Sequence, residues 1–89
     1  MQELFLQTVE LTDQTGTVRH YDYSILIGEM DVGSYACESY GFKVAEQGGE
    51  QASIPNITCS AARIDELSDL LVRNGVTPVT LSDVLSDWL

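Results

Sequence analysis

His20-Tyr21-Asp22-Tyr23-Ser24-Ile25-Leu26-Ile27 puts Tyr21, Tyr23, Ile25 and Ile27 on one parity and His20, Asp22, Ser24 and Leu26 on the other. Successive strand side chains point to opposite faces, so this alternation is the period-2 signature of a half-buried antiparallel strand. One face of the resulting sheet must be covered by some other part of the chain.

Upstream, Phe5, Val9 and Leu11 lie on one parity while Leu4 and Leu6 lie on the other. A first strand is expected there, but its inward face stays open. Thr12-Asp13-Gln14-Thr15-Gly16 reads as the intervening turn, with Gly16 free to adopt positive φ. Downstream, Gly28 to Gly33 reads as a loop carrying Glu29 and Asp31. A third strand is expected from Tyr35 to Ala45, with Tyr40, Phe42 and Val44 inward. Glu38 shares their parity, and an unpaired buried carboxylate is costly, so a bulge is predicted near Ser39-Tyr40-Gly41 to return it to water. Gln47-Gly48-Gly49-Glu50 signals a hairpin turn into a short strand, Ala52 to Thr58. Pro55 lacks the amide that a central ladder needs, which places that strand at an edge.

The period then changes. Ser60 is an N-cap candidate, Ile64, Leu67, Leu70 and Leu71 form an apolar stripe, and Asp65, Glu66 and Asp69 face away from it. Arg73 suits the last turn, Asn74-Gly75 ends the helix, and Pro78 prevents its continuation. Thr80 with Asp83 predicts a capping-box start for a second helix whose stripe is Leu81, Val84, Leu85 and Trp88. The expected fold is α+β: a four-stranded antiparallel meander over 1–58, followed by two C-terminal helices over 60–89 on one face, all within a single domain.

A chain of 89 residues with 44% hydrophobic content forms one small core and is too apolar for a disordered acidic tail. Met1 to Leu6 has no basic flank, and no segment approaches the roughly 18 apolar residues of a membrane span, so a cytoplasmic location is the expectation. Cys37 and Cys59 are too few for a disulfide scaffold and match no Cys-x-x-Cys pattern; both are expected to be reduced.

No catalytic, metal or cofactor site is assigned. His20 lies on the polar parity beside Asp22, without a nucleophile to activate, and a Cys37–His20 pairing has no local sign of a lowered thiol pKa. The helix acids lack the alternating oxygen ligands and central Gly of a calcium loop, and Gly48-Gly49 precedes no helix that would cradle phosphate. Charge is the remaining signal. Fourteen acids against four Lys and Arg give a formal charge of −10, which repels nucleic acid and anionic membranes and attracts basic protein surfaces. The partner-binding candidates are therefore Glu29, Asp31, Asp65, Glu66, Asp69, Asp83 and Asp87. Trp88 joins them as an aromatic anchor, although its place in the helical stripe also suits a core residue. The bland alternative is that the acids serve solubility alone.

Tyr40-Gly41-Phe42, the helix from Ile64 to Asn74, and the ending Val76-Thr77-Pro78-Val79-Thr80-Leu81-Ser82-Asp83-Val84-Leu85-Ser86-Asp87-Trp88-Leu89 resemble a group of small uncharacterised proteins of gram-positive anaerobes that share a domain of unknown function. The likeness covers about the C-terminal half. Its most specific part is the ending: Pro, two residues, Leu, one residue, Asp-Val, then an acidic-aromatic-Leu close. This chain departs in having Ser86 and Trp88 where an acid and a Phe are usual, and Thr80 where His is common. The resemblance implies a fold and carries over no catalytic residues. The function expected is a non-enzymatic acidic protein-binding module, in its sharpest form an inhibitor of a nucleic-acid-binding protein in the style of phage anti-CRISPR proteins. The alternative is a scaffolding domain that self-associates as a homodimer.

Overall fold

The computed structural model describes residues 2–33 and 35–88; Leu89, the expected end of the second helix, lies outside them. Strands β1 (Gln2–Thr12), β2 (Val18–Val32), β3 (Tyr35–Glu46) and β4 (Gln51–Thr58) form one sheet in the order β1-β2-β3-β4, every neighbouring pair antiparallel. Helices α1 (Ala61–Arg73) and α2 (Leu81–Trp88) follow. The core lies between the two layers: Tyr21, Tyr23, Ile25, Phe42 and Val44 of the sheet meet Ile64, Leu67, Leu71, Val76, Leu81 and Leu85.

A bulge settles the conflicting parities of β1. Phe5 pairs with Ser24 and Gln7 with Tyr23, so Leu6 is an extra residue on β1. Leu4 before it and Val9 and Leu11 after it thereby pair with Ile25, Tyr21 and Arg19, which share one parity of β2, the parity of its core residues. Leu6, Val9 and Leu11 pack against the core.

Most of the expected loop from Gly28 to Gly33 is instead strand, and only Gly33 lies in a turn. β2 continues to Val32 and pairs with β3 without interruption from Tyr21↔Glu46 to Val32↔Tyr35. Cross-strand pairing supplies the backbone bonds that the turn-forming residues by themselves did not suggest. Among the described residues, the β1 pairings end at Gln2↔Ile27 and those of β4 at Tyr40↔Thr58, and past these points β2 and β3 pair only with each other. The projecting ribbon, about 17 Å for its five β2 residues at the usual rise, contributes to overall dimensions of 53 × 25 × 18 Å.

This extension also corrects the expectation for Glu38. No bulge interrupts its pairing with β2; it keeps the parity of Tyr40 and Phe42 but sits where the ribbon has outrun the helices, and it is exposed. The irregularity near Gly41 lies on the other side of β3, where Tyr40↔Thr58 is followed by Phe42↔Ile54. Three β4 residues, Pro55, Asn56 and Ile57, there oppose Gly41 alone, and Asn56 takes φ 56°. The bulged backbone comes so close that a Cβ on Gly41 would stand 2.3 Å from the Ile54 carbonyl oxygen. β4 is an edge strand, as Pro55 requires.

The Ser60 hydroxyl accepts from the Arg63 amide at 3.3 Å and caps α1. The helix closes with the Gly75 amide on the Val72 carbonyl and the Val76 amide on the Leu71 carbonyl, with Gly75 at φ 61°. This paired pattern is a Schellman motif, and it drives Val76 into the core. The start of α2 differs from the predicted capping box. The Thr80 hydroxyl turns back to accept from the Thr77 amide at 3.0 Å, and the Thr77 carbonyl accepts from the Thr80 and Leu81 amides. The Thr77-Pro78-Val79-Thr80 turn thereby satisfies the Leu81 amide, the first helical donor.

Candidate protein-interaction surface

All four basic side chains are engaged within the molecule. Arg19 bridges Asp13 at 2.9 Å and also pairs with Glu46; Lys43 reaches Glu3 at 3.0 Å; Arg73 lies 3.3 Å from Asp69. The Arg63 guanidinium stacks 4.7 Å from the centre of the Trp88 ring. Trp88 itself is half-buried against the core, so the indole links α2 to α1 rather than projecting freely.

The acids of the helix-free face also have partners. Glu3 holds Lys43, Glu10 approaches His20 Nδ1 at 3.7 Å, and Asp22 accepts from Thr8 at 2.6 Å and Gln47 at 3.1 Å. The hydroxyl and amide donors keep the Asp22 carboxyl below its ordinary range. The Lys43–Glu3 pair spans β2 between the pairing levels of Ser24 and Leu26, and Ser24 and Leu26 are buried beneath it although no helix covers them.

The helix-bearing side differs. Among the described residues, Glu29, Asp31, Glu38, Asp65, Glu66, Asp83 and Asp87 have no cationic partner. Glu29 and Glu38 are directly opposed on β2 and β3, and Asp31 lies two residues further along the same face. Like charges in that relation destabilise a ribbon. Tyr40 donates to Glu38 at 2.7 Å; this bond, burial, and the nearby carboxylates of Glu38 and Asp65 push the phenol above its usual range. Asp31, Glu29 and Glu38 form one negative strip on the ribbon, and Asp65, in the second turn of α1, adds to the field that raises the Tyr40 phenol at its base. Glu66 and the α2 acids are exposed on the same layer.

Two depressions border these acids. One, of ≈ 350 Å³, lies between β1 and α1, with Leu6, Ile25 and Val72 as its apolar part and Asp65 and Asp69 at its rim. The other, of ≈ 510 Å³, lies at the ribbon base and includes Gln2, Ile27, Glu29 and Glu38. No group of three or more His, Cys, Asp or Glu in ligand geometry occurs among the described residues. Among the described residues, no helix is long and apolar enough to cross a membrane.

Of the residues singled out from sequence, the structure brings together Glu29 and Asp31, with Asp65 adding to the field at the ribbon base. Asp69 is neutralised by Arg73, and Asp83 and Asp87 stand separately on α2. Glu38 was missed because its inward parity looked like a packing problem. That same parity, shared with Tyr40 on a strand longer than the helices, was the signal. Cys37 is paired with Met30, ten residues along β2 from His20, which is about 33 Å at the usual strand rise, and the two form no dyad.

No curated protein and no solved structure matches the chain. A model of a family of unknown function (DUF6514) matches residues 2–89, and the chain belongs to that family.

Proposed function

We propose that this chain is a non-enzymatic, acidic protein-binding module whose partner presents a basic surface. Its sharpest form is a cytoplasmic inhibitor, bacterial or phage in origin, that occupies the nucleic-acid-binding groove of another protein in the style of anti-CRISPR proteins. The observation that carries this reading is the ribbon strip Asp31, Glu29 and Glu38, with Asp65 of α1, left without cations while every Lys and Arg is engaged elsewhere. Opposed carboxylates on a paired ribbon repel one another until a cation arrives, so a basic partner gains both attraction and relief of that repulsion.

The test is affinity capture at two salt concentrations, followed by competition with nucleic acid. Raising salt from about 0.1 to about 0.5 M should weaken capture at least tenfold, because exposed pairs are screened within a few ångströms. The triple variant Glu29→Lys, Glu38→Lys, Asp65→Lys should abolish capture, whereas Glu10→Lys on the helix-free face should retain it. Capture that persists in high salt and in the triple variant rejects the electrostatic mechanism.

Self-association is the second reading, and a different surface favours it. Pro55 and the bulge blunt the β4 edge, but β1 is an edge strand with Leu4 51% and Phe5 58% exposed. Sedimentation decides the matter: a salt-insensitive dimer that Phe5→Asp dissociates supports it, and a monomer at high concentration removes it.

A further inference from the structure

Cys37 lies on β3 midway along the projecting ribbon, opposite Met30, and Cys59 lies between β4 and α1. The pairing Tyr40↔Thr58 brings these segments together, and the two sulfurs stand 3.3 Å apart, both thiols free. A local clamp holds Cys59 in place: the Ser60 amide donates to the Thr58 hydroxyl at 3.1 Å, and Ser60 is itself the cap of α1. The chain contains no other cysteine, so no alternative intramolecular partner exists.

We infer that Cys37 and Cys59 form a modification site, a dithiol that a low-molecular-weight disulfide oxidises to an intramolecular disulfide joining the ribbon to the segment before α1. Cys59 is exposed and Cys37 half-buried, which orders the steps. The Cys59 thiolate attacks one sulfur of the reagent, forms a mixed disulfide and releases the first thiolate. Cys37 then loses its proton to solvent and attacks the Cys59 sulfur, expelling the second. Two electrons pass to the reagent, which leaves as two thiols, and the protein loses two hydrogens. Contact with the Cys59 sulfur pushes the Cys37 thiol up, in keeping with its acting second. The formal charge of −10 favours a cationic disulfide over an anionic one.

The intact chain is treated with cystamine at pH about 8, where free thiols ionise appreciably. Intact mass should fall by two hydrogens with no cysteamine retained, and non-reducing digestion should yield a peptide linking Cys37 to Cys59. The melting temperature should rise by roughly 15 °C, the expectation for closing a loop of this length in a small domain, and dithiothreitol should reverse it. Under the same treatment Cys37→Ser should retain one cysteamine at Cys59. Wild-type protein that keeps its cysteamine adducts, or that links into disulfide dimers, overturns the inference, and this reading does not depend on any variant folding.

Discussion

Tyr23 is wholly enclosed, and its hydroxyl donates to the Val76 carbonyl at 2.7 Å. The ring stacks at a tilt on Phe42, with centroids 5.9 Å apart, so one residue joins the sheet's apolar surface to the segment between the helices. Burial raises the phenol above its ordinary pKa, which keeps it a donor. Tyr23→Phe leaves a buried carbonyl unpaired and should cost about 1 to 3 kcal/mol in urea unfolding. An unchanged midpoint would show that water replaces the bond. Asp13 works at the surface: its carboxylate accepts from the Thr15 hydroxyl and amide and the Thr17 amide, and meets Arg19. These donors, the Thr15 hydroxyl foremost, hold its pKa well below the usual carboxylate range. A depressed native pKa stabilises above the unfolded value of 3.8 and loses that contribution as pH falls through the native one. Asp13→Ala should therefore melt lower than wild type at pH about 7, with the gap narrowing toward pH about 2; a gap independent of pH would contradict this.

The edge strands turn on two bulges. At β4, three residues oppose Gly41, and the close backbone approach admits no side chain. Gly41→Ala must displace backbone rather than a flexible side chain, so a loss of about 1 to 3 kcal/mol is expected, together with altered exchange protection around Ile54. Gly48 has nothing near its missing Cβ, but its φ of 76° disfavours a side chain for another reason; only the Gly41 variant should disturb β4. At β1, the extra residue Leu6 is the device that lets Leu4 and Val9 face the same way. The first strand is therefore better described as two short alternating segments joined by a kink. α1, with its cap and Schellman end both supplied by adjacent residues, needed no such adjustment.

At the scale of the molecule, charge and shape act together. Carboxylates without a cation crowd one layer and the ribbon that extends beyond it, while on the opposite face Glu3 holds Lys43, Glu10 lies beside His20 and Asp22 is hydrogen-bonded by Thr8 and Gln47. Self-repulsion of this kind is screened by salt, so the isolated protein should gain about 2 to 5 °C in melting temperature between low and moderate ionic strength. Glu38→Gln removes one of two opposed charges and should diminish that gain; a melting temperature that falls with salt would mean that the internal ion pairs outweigh the repulsion. The same salt should weaken a basic partner's hold, which separates the protein's own stability from its binding.

The alternation of Tyr21, Tyr23, Ile25 and Ile27, the apolar stripes of both helices, the Ser60 cap, the Gly75 ending and the edge position implied by Pro55 were all legible in the sequence. Each rests on a period of 2 or 3.6 residues or on a conformational demand of a single residue, and such information is local. Tertiary structure decided the rest: the face presented by β1, the continuation of β2 through Gly28, the exposure of Glu38, the meeting of Cys37 with Cys59, and which acids are left without a cation. All of these depend on register between segments far apart in the chain, where one extra residue or one strand longer than its neighbour changes every contact that follows.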